Sequence, residues 1–354
     1  MSVLLLVILL EAALHVYHTI RRRPPLEGHP GEESLYVILD TPVLYGLNPN
    51  HPEINSQGLR DDEVTVPKPA GCLRILILGD SITFGTLIGK EKAYPSKLER
   101  LLRAQSRSVD VINAGVSGYT AYNELQYYLV EGRKYEPDIV IVAFCMNDVA
   151  NPRIHWGSNI SRMIDIPQEA IPNKMHDEGY ALPFVEWRSS IWYRLMMRSE
   201  LYRTFGWRIR LLVQEFKKAH LPTIITANDT TSIKVLLSET STEFRWLLSN
   251  YRQLNDAVHS DGASMLVLLF PLAYQLDDHY PFFPQQLISK CCTEYGIPCL
   301  DLLETFRQYG KEYVFLLDRT GYNDVWHLSG RGHGVVALRL REWVNEYIAS
   351  EGGI

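Results

Sequence analysis

Residues 73–81 read Leu73-Arg74-Ile75-Leu76-Ile77-Leu78-Gly79-Asp80-Ser81. A short, almost wholly apolar run that ends on glycine has the pattern of a strand buried on both faces, as in a parallel sheet. The serine that follows stands where the strand gives way to a loop or the start of a helix. From here the pattern repeats. Apolar strands are predicted at Leu73–Leu78, Val109–Asn113, Asp138–Phe144, Ser264–Phe270 and Pro298–Leu302. Between them, amphipathic helices are predicted at about Pro95–Gln105, Ala121–Lys134 and Pro284–Tyr295, and a last one at about Gly332–Ala349. Pro95 suits a first helical turn, and Leu98, Leu101 and Leu102 share one face. Alternation of this kind implies a mostly parallel sheet covered by helices on both faces, with its site beyond the carboxyl ends of the strands.

Outward from this core the chain changes character. Residues 24–70 are rich in Pro, Gly, Asn and Glu, with short apolar pieces at Leu35–Leu39 and Val43–Tyr45. They read as a small irregular or hairpin-like extension packed on a main domain of residues 71–354. Residues 150–245 interrupt the strand–helix rhythm as an insertion. It holds Trp156, Trp187, Trp192 and Trp207, with Trp246 at its border, and helices are expected near 187–198 and 200–219. Plain packing is the simpler reading of that insertion; a lid or substrate wall is the functional one.

At the N-terminus, residues 2–10 are almost wholly apolar, Glu11 interrupts them, and residues 12–20 continue with few charges before Arg21-Arg22-Arg23-Pro24-Pro25. That is about the length needed to span a bilayer. No basic segment precedes it and no small-residue cleavage site follows, which disfavours a signal peptide. The expectation is a membrane anchor over residues 1–23, the alternative being an amphipathic or buried terminal helix. The arginine triplet favours a cytoplasmic body, but the side of the membrane stays open.

The chain has 354 residues, 46% hydrophobic and 21% charged, with a net charge of −6. There is enough apolar material for a sizeable core, and no basic run gives a nucleic-acid footprint. Five cysteines (Cys72, Cys145, Cys291, Cys292 and Cys299) form no CxxC pair, so thiols are expected; a bridge from Cys291 or Cys292 to Cys299 is the alternative in an exported chain. His155, His176, His259, His279 and His333 are scattered without ligand spacing, and no metal or cofactor is expected.

A serine hydroxyl needs a neighbouring base to become a nucleophile, and a carboxylate to orient that base. Candidates lie at opposite ends of the chain: Ser81 within Gly79-Asp80-Ser81, and Asp324 with His327 within Asp324-Val325-Trp326-His327. Thr83 stands where a Gly-x-Ser-x-Gly elbow would need its last glycine, which removes that route. Two further blocks follow predicted strands: Asn113-Ala114-Gly115-Val116-Ser117-Gly118 and Cys145-Met146-Asn147-Asp148. Asp80 and Asp148 are expected to cap turns rather than act in catalysis.

The four blocks in this order, over about residues 73–348, resemble the SGNH (GDSL-type) hydrolase family. The resemblance implies a flavodoxin-like three-layer α/β/α sandwich. It implies Ser81 as nucleophile and Asp324 and His327 as acid and base, with Gly118 and Asn147 joining the Ser81 N–H in an oxyanion hole. It implies an ester hydrolase working through an acyl-enzyme, with acetyl esters of carbohydrates or small molecules as substrates. An O-acyltransferase to sugars and a non-catalytic glycan-binding module are the alternatives. Departures are few. Cys145 replaces a usual glycine and is expected to line and narrow the pocket, Ile82 replaces leucine, and Leu328 replaces a frequent proline.

Overall fold

Alternating side chains of a buried strand point to opposite faces, so each strand of a covered parallel sheet feeds two cores. The computed structural model describes residues 35–149, 242–276, 284–316 and 326–350, all within one unit of the chain. The N-terminal apolar segment, the expected helices near 187–198 and 200–219, and Asp324 lie outside the described residues.

An antiparallel pair, β1 (Tyr36–Ile38) and β2 (Tyr45–Leu47), precedes the main sheet. That sheet holds β3 (Leu73–Gly79), β4 (Val109–Gly115), β5 (Ile139–Phe144), β6 (Ser264–Leu269) and β7 (Cys299–Asp301). Its order is β4-β3-β5-β6-β7, with every adjacent pair parallel. This is the flavodoxin-like order, in which the chain reverses direction across the sheet between β3 and β5 and leaves a crevice at their carboxyl ends.

The helices are α1 (Ser81–Phe84), α2 (Tyr94–Arg103), α3 (Ala121–Val130), α4 (Thr242–Ser260), α5 (Pro284–Glu294), α6 (Leu303–Tyr309), α7 (Lys311–Val314) and α8 (Gly330–Ser350). On one face of the sheet Leu73, Ile75, Ile77, Ile139, Ile141, Leu266 and Leu268 pack with Tyr94, Leu98 and Leu102 of α2 and Val336, Leu340 and Val344 of α8. The alternate residues Leu76, Leu78, Val140, Val142, Val267 and Leu269 are also buried. On that side α4 lies against α3 and β6, with Leu247, Tyr251, Leu254 and Val258 at helical spacing and buried. The expected α/β/α layering is thus present. The helix expected at Ala121–Lys134 ends at Val130, and a 3-10 turn follows at Gly132–Tyr135.

No disulfide joins any of the five cysteines. Cys299 hydrogen-bonds to Cys292 and, with burial, pushes that thiol upward. No helix among the described residues is long and apolar enough to cross a membrane.

Candidate active site

Ser81 begins α1, directly beyond the carboxyl end of β3. The Asp80 carboxylate accepts the Ile82 N–H at 2.9 Å and caps the turn, as expected of it. Gly85 closes α1 in the left-handed conformation, φ 83°, and the Ser81 carbonyl accepts the N–H groups of Gly85 and Thr86. The glycine of the second block has a steric reason. A Cβ on Gly115 would sit 2.4 Å from the Phe84 nitrogen, so only glycine lets the end of β4 approach α1 this closely.

His327 arrives from the far end of the chain. Phe315 and Leu328 form an antiparallel bridge, the Leu316 N–H donates to the His327 carbonyl at 3.0 Å, and the Ser329 N–H donates to the Val314 carbonyl. Leu328 is buried in the core beside Phe315 and Val314, so the residue replacing the usual proline acts as an anchor. These contacts place His327 Nε2 2.9 Å from Ser81 Oγ, across 246 positions of sequence. With Nε2 accepting, the ring carries its proton on Nδ1 and is free to serve as base toward the hydroxyl.

Beyond β5 the turn Met146–Val149 carries Asn147. Asp148 closes it in both directions: its Oδ2 accepts the Cys145 N–H at 2.9 Å, and its own N–H donates to the Cys145 carbonyl. Tyr251 of α4 adds a hydroxyl to the same oxygen at 3.2 Å. Cys145 itself is 1% exposed and belongs to the apolar core. It forms buried support under the site and does not narrow a pocket. Gly118, φ 84°, ends the second block, and Tyr45 of β2 donates its hydroxyl to the Ser117 carbonyl at 2.9 Å.

Beneath these loops lie three buried acids. Burial, then the charges of Asp148 and Asp80, raise the Glu124 carboxyl well above its ordinary range; among the described residues neither of its oxygens has a hydrogen-bond partner. Burial, then the Asp80 charge, does the same to Asp148, partly offset by the Cys145 N–H and the Tyr251 hydroxyl. Sequence reasoning missed Tyr45, Glu124 and Tyr251, which reach the site from elements distant in the chain.

The sequence matches the model of the GDSL-like lipase/acylhydrolase family over residues 77–335. The chain belongs to that family. An arylesterase from Vibrio mimicus is 32% identical over 103 residues, 28% of this chain and 51% of that protein; the chain therefore spans about half the length of this curated relative. Among solved structures, a catalytic mutant of an acetylxylan esterase from Geobacillus stearothermophilus superposes at TM-score 0.42 with 14% identity, covering 76% of this chain and 92% of that one. A psychrotrophic esterase, EstA from Pseudoalteromonas sp., does so at 0.41 with 12% identity, covering 78% and 98%. Likeness at this level says nothing of chemistry, and the family rests on the sequence match.

Proposed function

We propose that the chain is a serine ester hydrolase that works through an acyl-enzyme. The observation that carries this is the 2.9 Å approach of His327 Nε2 to Ser81 Oγ in a chain of this family. In the reaction, Ser81 Oγ attacks the ester carbonyl carbon as His327 Nε2 takes its proton. The tetrahedral oxyanion collects donors from the N–H groups of Ser81 and Gly118 and from the Asn147 amide. Asp324, staying ionised, accepts a hydrogen bond from the His327 Nδ1–H and stabilises the imidazolium. His327 then protonates the departing alkoxide, leaving the acyl group on Ser81. Water, deprotonated by His327, releases the acid and restores the hydroxyl.

The substrates proposed are small acyl esters, acetyl esters of carbohydrates among them. The arylesterase relative makes aryl esters the practical first probe. Aryl esters of graded chain length and an acetylated polysaccharide are to be assayed side by side, with and without a free sugar acceptor. The expected outcome is release of free acid and a loss of at least ~10³-fold in turnover on Ser81→Ala. Turnover that survives Ser81→Ala refutes the mechanism, and acyl transfer to the sugar in preference to water favours the transferase. We further propose that residues 2–20 form a membrane anchor, on the strength of their length and apolar content.

A further inference from the structure

The segment ahead of the sheet does more than cover it. Arg60 is 5% exposed, and each of its five N–H groups has an acceptor. Nη1 donates to the Phe84 and Gly85 carbonyls at 3.0 and 2.9 Å. Nη2 donates to the Ile88 carbonyl at 2.9 Å and to Glu53 at 2.8 Å, and Nε donates to Glu53 at 3.0 Å. The guanidinium also lies 4.6 Å from the centroid of the Phe84 ring.

Two of these acceptors, the Phe84 and Gly85 carbonyls, lie at the carboxyl end of α1, the single turn whose first residue is Ser81, and the Ile88 carbonyl lies in the loop that follows. A lone helical turn has almost no stability of its own. This one is held at its start by Asp80, on one side by the close approach of Gly115, and at its end by Arg60. Because the Ser81 carbonyl is bonded to the Gly85 and Thr86 N–H groups, a shift of that end carries Ser81 with it. The neighbouring Asp61 accepts the Asn113 N–H at 2.7 Å, so the residue next to Arg60 grips the strand leading to Gly118.

We propose that Arg60 is a positioning residue for Ser81, holding the Ser81 turn at the distance that His327 requires. The proposal rests on Ser81 being the nucleophile. A planar fork with five donors suits three carbonyls and a carboxylate together; a lysine keeps the charge but offers three donors from one point.

The test is the second-order rate of Ser81 labelling by a fluorophosphonate, with kcat and KM for an aryl acetate, in wild type, Arg60→Ala and Arg60→Lys. Each is measured at a temperature where thermal melting shows it folded. Arg60→Ala is expected to slow labelling and kcat by at least ~10-fold, as small misplacements do, with KM moving less than about two-fold. Arg60→Lys should fall between it and wild type. Free guanidinium at sub-denaturing concentration should restore part of the Arg60→Ala loss, and urea at the same concentration should not. Labelling of folded Arg60→Ala within about two-fold of wild type overturns the proposal. So does a loss that guanidinium leaves unrestored, which assigns Arg60 to stability alone. If Arg60→Ala does not fold, Arg60→Lys decides: wild-type labelling overturns the proposal and slowed labelling supports it. A wild-type protein that is never labelled at Ser81 removes the nucleophile, and the brace with it, so the two failures are told apart.

Discussion

His333 offers a direct test of how the layers are held. It lies in the first turn of α8, 1% exposed. Its Nδ1 accepts the Tyr94 N–H at 3.1 Å, capping the start of α2, and its ring stacks on Tyr94. Burial first, then the charges of Lys97, His327 and Arg60, push its pKa from 6.5 down to about 3. The folded protein therefore keeps His333 neutral where the unfolded chain protonates it. The contribution is fully present above the unfolded value of 6.5 and is lost as pH falls toward about 3. A shift of that size corresponds to at most about 5 kcal/mol over the whole window, and to about 3 kcal/mol by pH 4. That is a large share of a domain's usual stability of about 5–15 kcal/mol. His333→Asn keeps a neutral acceptor but loses ring packing, at a cost of about 1–3 kcal/mol near pH 7.5. Urea midpoints and slopes for both proteins between pH 4 and 7.5 give the difference in stability. Other titrations cancel in that difference. The gap should shrink steadily below pH 6.5 and close or reverse near pH 4. A gap that stays constant across the range refutes the reasoning.

Asp61 should show the opposite slope. Burial raises its carboxyl from 3.8 to about 7, so its stabilising contribution is present below 3.8 and lost as pH rises through 7; Asp61→Asn should gain on wild type over that interval in the same urea series. Asn147→Ala should lower kcat by about 10²–10³-fold with little change in KM, as loss of an oxyanion donor does, while fluorophosphonate labelling stays detectable; unchanged kcat with a lowered melting temperature would instead make Asn147 a loop cap. Full-length protein should sediment with membranes and resist carbonate extraction, while a chain beginning near Pro24 should be free of them and active; full-length protein that stays in the supernatant without detergent contradicts the anchor.

The strands were the most legible part of this chain, for a physical reason. A strand buried on both faces needs a nearly continuous apolar run, and β3, β5 and β6 show one, so their ends fall within about a residue of expectation. Helix α4 was not legible. Phe244, Leu247, Tyr251, Leu254 and Val258 do recur at helical spacing, but polar residues separate them and Trp246 draws the start into the Trp-rich insertion. Ser81 and His327 were readable because motif order carries them together. Cys145 was misplaced because a side chain replacing glycine suggests intrusion into a pocket, whereas the strand end turns it into the core. Arg60 and Asp61 were invisible, since the partners that tie them to the site are backbone groups 24 or more positions away, and backbone groups leave no mark in a sequence. The same holds for Tyr45 and the Ser117 carbonyl.

The central claim is that Ser81, activated by His327, forms the covalent intermediate. The most direct measurement is peptide mass spectrometry of the wild-type protein after fluorophosphonate treatment, alongside Ser81→Ala and His327→Gln. The account predicts one adduct, on the peptide carrying Ser81, absent from Ser81→Ala and formed far more slowly in His327→Gln. An adduct on a different serine, or none in an enzyme that still cleaves esters, would contradict it.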